Sequence, residues 1–311
     1  MKLNNSIKLA IANFSLFWKL LLYKIIAFGI SILFVLPVFN ILKITFFNSG
    51  LNALIKEMFT IAPFESMPKL TSQLLKMFNA FFDGIKILAT NNVFVLIYLV
   101  IILLIVIPFL FKLSDVPASE SSYSYMSSLN RNSFTINFIN MLDKSMGYSL
   151  LRAIFEIPFI VVLCLGSYGL LYLGTLNSFL SIVSPFLFFI YVVSMLALNS
   201  SLFNGWAPSI VVFNCNEIKG LNKGGTAIQR NFLSILSSFI VVMTVIVCLV
   251  YLFGVYSLLF IIPFLSLIVA VFGQVLFFES QGMNYYISPD KIVSTKKLEC
   301  TDSIYKVKNI I

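Results

Sequence analysis

Residues 231–278 constrain the fold of this chain more than any other segment, because they contain no charged side chain. Arg230 and Glu279 bound the segment on either side. A membrane-spanning helix needs about 20 predominantly apolar residues, so the segment is long enough for two such helices and a turn. We expect the turn at residues 253–257, where glycine and serine interrupt the apolar run. The segment therefore predicts a transmembrane hairpin with both ends on one side of a bilayer.

The composition of the whole chain indicates a lipid environment. Hydrophobic residues make up 59% of the chain and charged residues 11%, whereas soluble domains carry about 25% charged residues. One aqueous core cannot bury this much apolar surface, so lipid must solvate part of it. We interpret the net charge of +9 as a source of attraction to anionic lipid head groups, because the lysines lie at the edges of apolar runs. We expect the lipid bilayer as a partner and no nucleic acid.

Four further apolar runs are long enough to cross a bilayer. The predicted fold class is therefore all-α, a polytopic membrane protein whose six transmembrane helices form three hairpins. Amphipathic stretches at residues 6–18, 69–88 and 134–149 predict interfacial helices beside them. The second stretch is expected to cover the bundle, and a binding or gating role is the alternative. The predicted spans are residues 20–42, 93–111, 149–173, 179–203, 232–253 and 256–278.

The positions of lysine and arginine predict the orientation in the membrane. Six spans place both termini on one side, and only five of the 21 Lys and Arg residues fall in the opposite connection, residues 43–92. Because cytoplasmic loops carry the excess of positive charge, we expect cytoplasmic N- and C-termini and a location in the plasma membrane. Trp18 and Trp206 fall at that face, where an aromatic belt is expected. Lys19 and Lys24 are expected to snorkel from the start of the first span.

A serine-rich segment is the clearest internal boundary. Residues 114–133 contain eight serines and few apolar residues, which is typical of a flexible linker. Pro185 and Pro263, each followed by Phe-Leu, occupy similar places in the fourth and sixth spans and indicate related hairpins. The predicted organisation is a first membrane hairpin with a long amphipathic extracytoplasmic connection at 1–113, the linker at 114–133, two related membrane hairpins at 134–278 and a cytosolic tail at 279–311.

The residue types exclude several classes of active site. The chain contains no histidine, which excludes zinc and catalytic schemes that need an imidazole. The four cysteines form no Cys-x-x-Cys motif, and no pair of carboxylates stands at a catalytic spacing. The glycine-rich residues 220–226 lack the Gly-Lys-Ser/Thr ending of a phosphate-binding loop. We expect no cofactor and no metal, and the sequence favours a protein that is not an enzyme.

Three polar residues within the predicted spans, Arg152, Glu156 and Gln274, are the candidates for an intramembrane site. Arg152 and Glu156 are four residues apart and therefore neighbours on a helix. Ionisable groups inside a membrane are costly and often functional. Both residues fall near the predicted cytoplasmic end of the third span, which favours a structural pair over a transport site. Gln274 lies well inside the sixth span, where an interhelical hydrogen bond is the simpler interpretation.

A resemblance covers about residues 206–280. It is carried by Trp206-Ala207-Pro208, Glu217, Gly220, Ala227-Ile228 and Asn231-Phe232, followed by the fifth span, Pro263 and the sixth span. This arrangement resembles bacterial six-span membrane proteins of unknown function, including the membrane domain fused to some glycerophosphodiester phosphodiesterases. No phosphodiesterase domain is recognisable in the sequence, so the resemblance implies a six-span membrane fold and no phosphodiesterase activity. Separately, the weighting of the composition toward Ile, Asn, Lys and Phe favours an AT-rich genome and hence a bacterial source.

Two functions from different classes follow from these observations. The first is a non-catalytic multi-pass membrane protein that serves as a scaffold or accessory subunit of a membrane or envelope complex, with other membrane proteins as partners. The alternative is a small-solute permease with a site among the proline-containing spans 3–6. A polar cavity that reaches Gln274 and Glu156 would favour transport, whereas a tightly packed phenylalanine core would favour the scaffold. A lipid-modifying enzyme is the least favoured class.

Overall fold

The structure is a computed structural model that describes residues 2–51, 53–54, 67–126, 133–253, 258–280, 285–286 and 299–300. These residues are almost entirely helical, which confirms the all-α fold class. The strands described are β1 (Tyr285–Tyr286) and β2 (Glu299–Cys300), which form one short antiparallel pair. A π-helical turn, Ile102–Val106, separates two of the helices. The α-helices are α1 (Lys2–Ala12), α2 (Ser15–Val35), α3 (Phe39–Asn48), α4 (Met67–Asn91), α5 (Val93–Ile101), α6 (Ile107–Lys112), α7 (Asp115–Met126), α8 (Phe134–Asn140), α9 (Leu142–Leu173), α10 (Ser178–Phe203), α11 (Trp206–Val212), α12 (Glu217–Arg230), α13 (Phe232–Phe253) and α14 (Leu258–Ser280).

Six helical segments among the described residues are long and apolar enough to cross a membrane, which confirms the predicted number of spans. Large apolar side chains stay exposed along them, such as Leu33 at 64% and Phe94 at 88% exposure. Such side chains are expected to face lipid rather than water. The turn predicted within the last hairpin falls on residues 254–257, which lie outside the described residues. The segments are Ser15–Asn48, Val93–Ser124, Leu142–Leu173, Phe179–Val212, Phe232–Leu249 and Ile261–Phe278.

The chain divides into two compact units, and the first comprises Met1–Phe28, Phe109–Arg152 and Leu196–Ile311. Helix α14 is its central element, because α1, α7, α11, α12 and α13 all pack against it. In this span 61% of the apolar window is buried, against at most 28% in the other five. The core of the unit contains Leu9, Leu16, Phe17, Leu20, Ala118, Phe134, Leu267, Val271, Val275 and Phe278.

The first amphipathic stretch is divided between α1 and α2. The predicted apolar face remains exposed, with Ile11 at 64% and Trp18 at 58% exposure. The opposite side packs into the core through Leu9 and Phe17. One apolar face of this segment contacts the protein core, and another apolar face is exposed. This arrangement suits a helix at a membrane interface, where the exposed face can contact lipid.

The structure differs from the predicted serine-rich linker over Asp115–Met126, which forms helix α7. Ser114, Ser119 and Ser122 are fully buried in this region. Ser122 donates its hydroxyl hydrogen bond to the carbonyl oxygen of Ala118 in the preceding turn. Because serine is small and can satisfy its hydroxyl locally, α7 packs closely against α11 and α14. Residues 127–132 of the predicted linker lie outside the described residues.

Trp206 is buried inside the first unit rather than placed in an aromatic belt. Its side chain is 1% exposed, and its indole Nε1–H donates a 2.8 Å hydrogen bond to the carbonyl oxygen of Glu217. The ring lies edge-on to Tyr148 at a centroid distance of 5.0 Å. The prediction for Trp206 was therefore wrong, because the indole N–H finds its partner on α12 instead of in the head-group region.

Helices α11 and α12 pack with their backbones in close approach, and two glycines permit this. A Cβ atom on Gly224 would lie 2.6 Å from the carbonyl oxygen of Gly205, closer than such atoms can approach. A Cβ atom on Gly220 would meet the side chain of Ile210 at 2.5 Å. The hydroxyl of Ser209 donates to the carbonyl oxygen of Gly220 and joins the same two helices. The glycine-rich segment is therefore a helix-packing surface.

The second unit comprises Gly29–Pro108 and Ala153–Met195. Helix α4 confirms the predicted amphipathic helix, and it packs against α3 and α5. Phe81 stacks on Phe46 at a centroid distance of 5.9 Å. The hydroxyl of Thr71 donates a 3.2 Å hydrogen bond to the carbonyl oxygen of Ser181. These contacts fit a helix that covers its unit, and its predicted role stays a prediction.

Candidate functional site

A cavity of about 180 Å³ lies in the first unit and is lined by residues from several spans. Lys24 comes from α2, Lys112 from the end of α6, Arg152 from the beginning of α9, and Asn204 from the turn after α10. Antiparallel spans place the beginning of one helix beside the end of the next. The cavity gathers polar groups from four spans, although these groups are far apart in sequence.

Lys24 is buried in the wall of this cavity, with 5% of its side chain exposed. Its ammonium group donates a hydrogen bond to the carbonyl oxygen of Phe111 and lies 5.6 Å from the centroid of that ring. The carboxylate of Asp115 attracts this ammonium group, and the ammonium group of Lys112 repels it. The expectation that Lys24 snorkels was therefore wrong. Moving an ammonium ion out of water costs several kcal/mol, so the buried group needs hydrogen-bond acceptors or an opposite charge nearby.

Arg152 is also buried, at 4% exposure, and its guanidinium group is held by α10. The Nη2 atom donates a 3.1 Å hydrogen bond to Oδ1 of Asn199. The guanidinium carbon lies 4.0 Å from the ring centroid of Phe203, which is a cation–π distance. These two contacts restrain the orientation of the guanidinium plane.

Asn204 lies in the cavity wall with 5% of its side chain exposed. Neither Oδ1 nor Nδ2 has a hydrogen-bond partner among the described residues. The amide packs against Gly273, where a Cβ atom would lie 2.8 Å from Oδ1. An unsatisfied buried amide costs about 1–3 kcal/mol, and each such group in a native protein calls for an explanation. A polar ligand in the cavity would supply one.

Gln274 is connected to the cavity through Ser119. Both side chains are fully buried, and the Ser119 hydroxyl donates a 2.8 Å hydrogen bond to Oε1 of Gln274. The Nε2 atom of Gln274 has no hydrogen-bond partner among the described residues. Ser119 itself lines the cavity. The predicted interhelical hydrogen bond of Gln274 therefore exists, and it joins α14 to α7.

Of the three candidates from the sequence, the structure brings Arg152 into the cavity wall and places Gln274 behind Ser119. Glu156 is partly buried one turn further along α9, in the second unit, and is not among the lining residues. Lys24 and Asn204 were not predicted as members of a site, because snorkelling was expected for Lys24 and an interhelical hydrogen bond for Asn204. The signal that could have identified Lys24 is its position inside the apolar run of the first span, but a lysine at this position also fits a snorkelling side chain.

Replacing Ser119 by alanine should lower the free energy of unfolding by about 1–3 kcal/mol, because it leaves the buried Gln274 amide without its donor. Adding Gln274→Leu to Ser119→Ala should recover much of that loss, since both polar partners are then absent. A double-mutant cycle on unfolding in mild detergent measures this coupling. Ser122→Ala is the matched control, because Ser122 is equally buried on α7 but bonds its own helix. Equal effects of Gln274→Leu in all three backgrounds would contradict the pairing.

The charged residues that line the cavity are three cations, Lys24, Lys112 and Arg152, and one carboxylate, Asp115. Among the described residues no group of three or more His, Cys, Asp or Glu side chains is arranged to hold a metal ion. The lining therefore provides hydrogen-bond donors and positive charge. Its chemistry suits the binding of an anion.

The six long apolar helices indicate a multi-pass membrane protein, and its first unit contains a cavity with buried cations in its wall. Comparisons with protein families, with curated proteins and with solved structures found no match to this chain. The resemblance over residues 206–280 stays a prediction. The arguments about function consequently rest on the residues of the cavity.

Proposed function

We propose that this multi-pass membrane protein is a permease for small anionic solutes and that the cavity is its substrate site. The supporting observation is the pair of buried cations, Lys24 and Arg152, beside the unsatisfied amide of Asn204. Ionisable residues within membrane spans are costly and commonly mark the path of a substrate or ion. Buried positive charge in the lining of the cavity favours an anion as the substrate.

The residues of the cavity have separate roles in this proposal. Arg152, oriented by Asn199 and Phe203, directs its fork of N–H donors at the anion. Lys24 supplies a compact positive charge, and Asn204 supplies an N–H donor. With the termini in the cytoplasm of a plasma-membrane protein, as the lysine distribution predicts, the site lies toward the cytoplasmic face.

Access from the other face requires the spans to move. Three described helices contain a proline beyond their first turn, Pro158 in α9, Pro185 in α10 and Pro263 in α14. Proline removes a backbone donor and is a common cause of helix bending. These prolines provide points at which the spans can bend, as in transporters built from interrupted helices.

Flux through the reconstituted protein tests the proposal. Proteoliposomes should take up inorganic phosphate or acetate faster than protein-free liposomes, and Arg152→Gln should reduce the uptake to about background. Lys219→Gln is the matched control, because Lys219 is an exposed cation on α12 that does not line the cavity. If neither anion crosses faster than in empty liposomes, the permease proposal fails.

A second candidate is the scaffold or accessory subunit, and the packed pair of helices α11 and α12 favours it. Helix α12 is held rigidly on α11 and presents Ile218 at 66% exposure beside the exposed Lys219. In this candidate the exposed face of α12 is the contact with another membrane protein. Chemical cross-linking in native membranes should yield a defined larger species that Ile218→Ser removes. Migration of the protein alone in several mild detergents would contradict this candidate.

A further inference from the structure

We infer that the cavity recognises a small 2-hydroxy carboxylate, that is, a carboxylate with a hydroxyl group on the adjacent carbon. This inference rests on the proposed function, because it names the chemical class of the anion that the same site binds. The observation that carries it is the side chain of Asn204, which lines the cavity at 5% exposure. Both polar atoms of this side chain lack a hydrogen-bond partner among the described residues.

The amide of Asn204 needs a ligand that both accepts and donates hydrogen bonds. Its Nδ2 atom is a donor and its Oδ1 atom is an acceptor, and the same two needs exist in either orientation of the amide. Acetate can accept from Nδ2, but it has no donor for Oδ1, and a buried acceptor without a partner costs about 1–3 kcal/mol. In a 2-hydroxy carboxylate, a carboxylate oxygen can accept from Nδ2 while the neighbouring hydroxyl donates to Oδ1.

The hydroxyl groups of two serines in the wall do not supply the donor that Oδ1 of Asn204 lacks. Ser119 donates its hydroxyl hydrogen bond to Gln274 on α14. The hydroxyl of Ser266 donates a 3.0 Å hydrogen bond to the carbonyl oxygen of Ile262 in its own helix. A donor for Oδ1 is therefore expected to come from the ligand.

Lys24 provides the positive charge for the carboxylate of the ligand. Its side chain is buried in the same wall, and its ammonium group donates to the carbonyl oxygen of Phe111. An ammonium group has further N–H donors beyond the one that this bond uses. A carboxylate is the stronger acceptor for them, because charge-assisted hydrogen bonds are about twice as strong as those between neutral groups.

Asp115 also lines the cavity, so the wall contains an acidic acceptor as well as donors. The ionised carboxylate only accepts hydrogen bonds, and it repels negative charge on a ligand. A ligand that carries a hydroxyl donor and a single carboxylate therefore suits Asp115 and Oδ1 of Asn204 better than a ligand composed of acceptors alone.

The size of the cavity and its apolar side favour a short apolar substituent. A volume of about 180 Å³ is below the roughly 300–1,000 Å³ of pockets for drug-sized ligands. Ile262, Leu265 and Val269 of α14 contribute apolar side chains to the lining. A methyl or ethyl group on the carbon that bears the hydroxyl suits these side chains, so the class includes lactate and its close homologues.

Thermal unfolding of the full chain in mild detergent, at constant ionic strength and neutral pH, tests the inference. Glycolate is compared with acetate, and each enantiomer of lactate with propionate, so that each pair differs only in the hydroxyl group. Alanine is added as the analogue with an ammonium group in place of the hydroxyl. Because a ligand that binds the native state raises the unfolding temperature, the concentration dependence of the shift gives the affinity. We expect the hydroxy acid to bind about tenfold or more tightly than its analogue in at least one pair, since a site that hydrogen-bonds a hydroxyl group rejects the analogue without it.

Variants assign this preference to Asn204 through the ratio of the two affinities. Asn204→Leu removes the donor and the acceptor at similar size, so lactate and propionate should bind equally. Asn222→Leu is the matched control and should retain the preference, because Asn222 is exposed on α12 and does not line the cavity. Gly273→Ala places a Cβ atom 2.8 Å from Oδ1 of Asn204 and should also reduce the preference. It keeps the test decisive if Asn204→Leu does not fold.

The outcomes separate the inference from the proposed function. A preference for the hydroxy acid that is lost in Asn204→Leu supports the inference, and it contradicts the permease proposal if proteoliposomes take up neither lactate nor acetate. Equal binding within each pair overturns the inference but retains an anion site. A preference that persists in both cavity variants, or tighter binding of alanine than of lactate, also overturns it. No shift with any ligand overturns the inference and removes the anion site on which the permease proposal depends.

Discussion

Replacing Lys24 by methionine should weaken the binding of inorganic phosphate in the cavity by about tenfold or more. A hydrogen bond to a charged group contributes about 1.5–3 kcal/mol, which corresponds to a factor of about ten to a hundred in affinity. Methionine has a similar length and keeps the apolar stem against Phe111, so the variant removes the charge without opening a large cavity. The variant also leaves the carbonyl oxygen of Phe111 without the Lys24 donor, so the free energy of unfolding should fall by about 1–3 kcal/mol.

Lys19→Met is the matched control for this prediction. Lys19 is on the same helix, α2, but its side chain is exposed and does not line the cavity. Both variants lose one positive charge, so a general effect of net charge on anion binding would change them equally. The affinity for inorganic phosphate follows from the dependence of the unfolding temperature on the phosphate concentration at constant ionic strength. Equal losses in the two variants would show that Lys24 has no specific role.

Replacing Gly224 by alanine should destabilise the protein by about 1–3 kcal/mol, because it forces extra volume into a filled contact. The new Cβ atom would lie 2.6 Å from the carbonyl oxygen of Gly205 and 3.0 Å from the amide nitrogen of Trp206. Both are backbone atoms, which cannot rotate away as a flexible side chain can. Gly205 directly follows Asn204, so the displacement should also weaken phosphate binding in the cavity.

Gly225→Ala is the control, because a Cβ atom there meets no atom within 4 Å. Alanine is favoured over glycine by about 1 kcal/mol in a helix interior, so this variant should be unchanged or more stable. The two substitutions are identical in chemistry and adjacent on α12. Unfolding in mild detergent measures the difference in free energy between them. An equal response at both positions would contradict the close packing of α11 on α12.

The sequence was sufficient for the membrane fold because its signal is local. Twenty or more apolar residues in a row satisfy the bilayer requirement wherever they occur in the chain. The spans were therefore predicted from residues such as 232–253, and the helix found there is Phe232–Phe253. Helix α4 followed from the same kind of evidence, a helical spacing of apolar side chains within one segment.

The segments that the sequence did not predict correctly are those in which small or polar side chains are buried. Eight serines in residues 114–133 are typical of a linker, but Ser119 and Ser122 lie within a packed helix. Tryptophan is common at membrane interfaces, but the indole of Trp206 packs against Tyr148 and donates its hydrogen bond to α12. Burial of such side chains depends on which helix packs against them, and the local composition of a segment does not predict its packing partner.

The sequence by itself determined that the chain is helical and crosses a bilayer six times, and it identified Arg152 and Gln274 as unusual polar residues inside spans. Only the tertiary structure decided that Arg152 shares a cavity with Lys24 and Asn204, whereas Glu156 does not line it. The physical reason is that span formation depends on the transfer of one continuous segment into lipid. A site instead depends on which side chains from distant segments converge, and that is set by the packing of one helix against another.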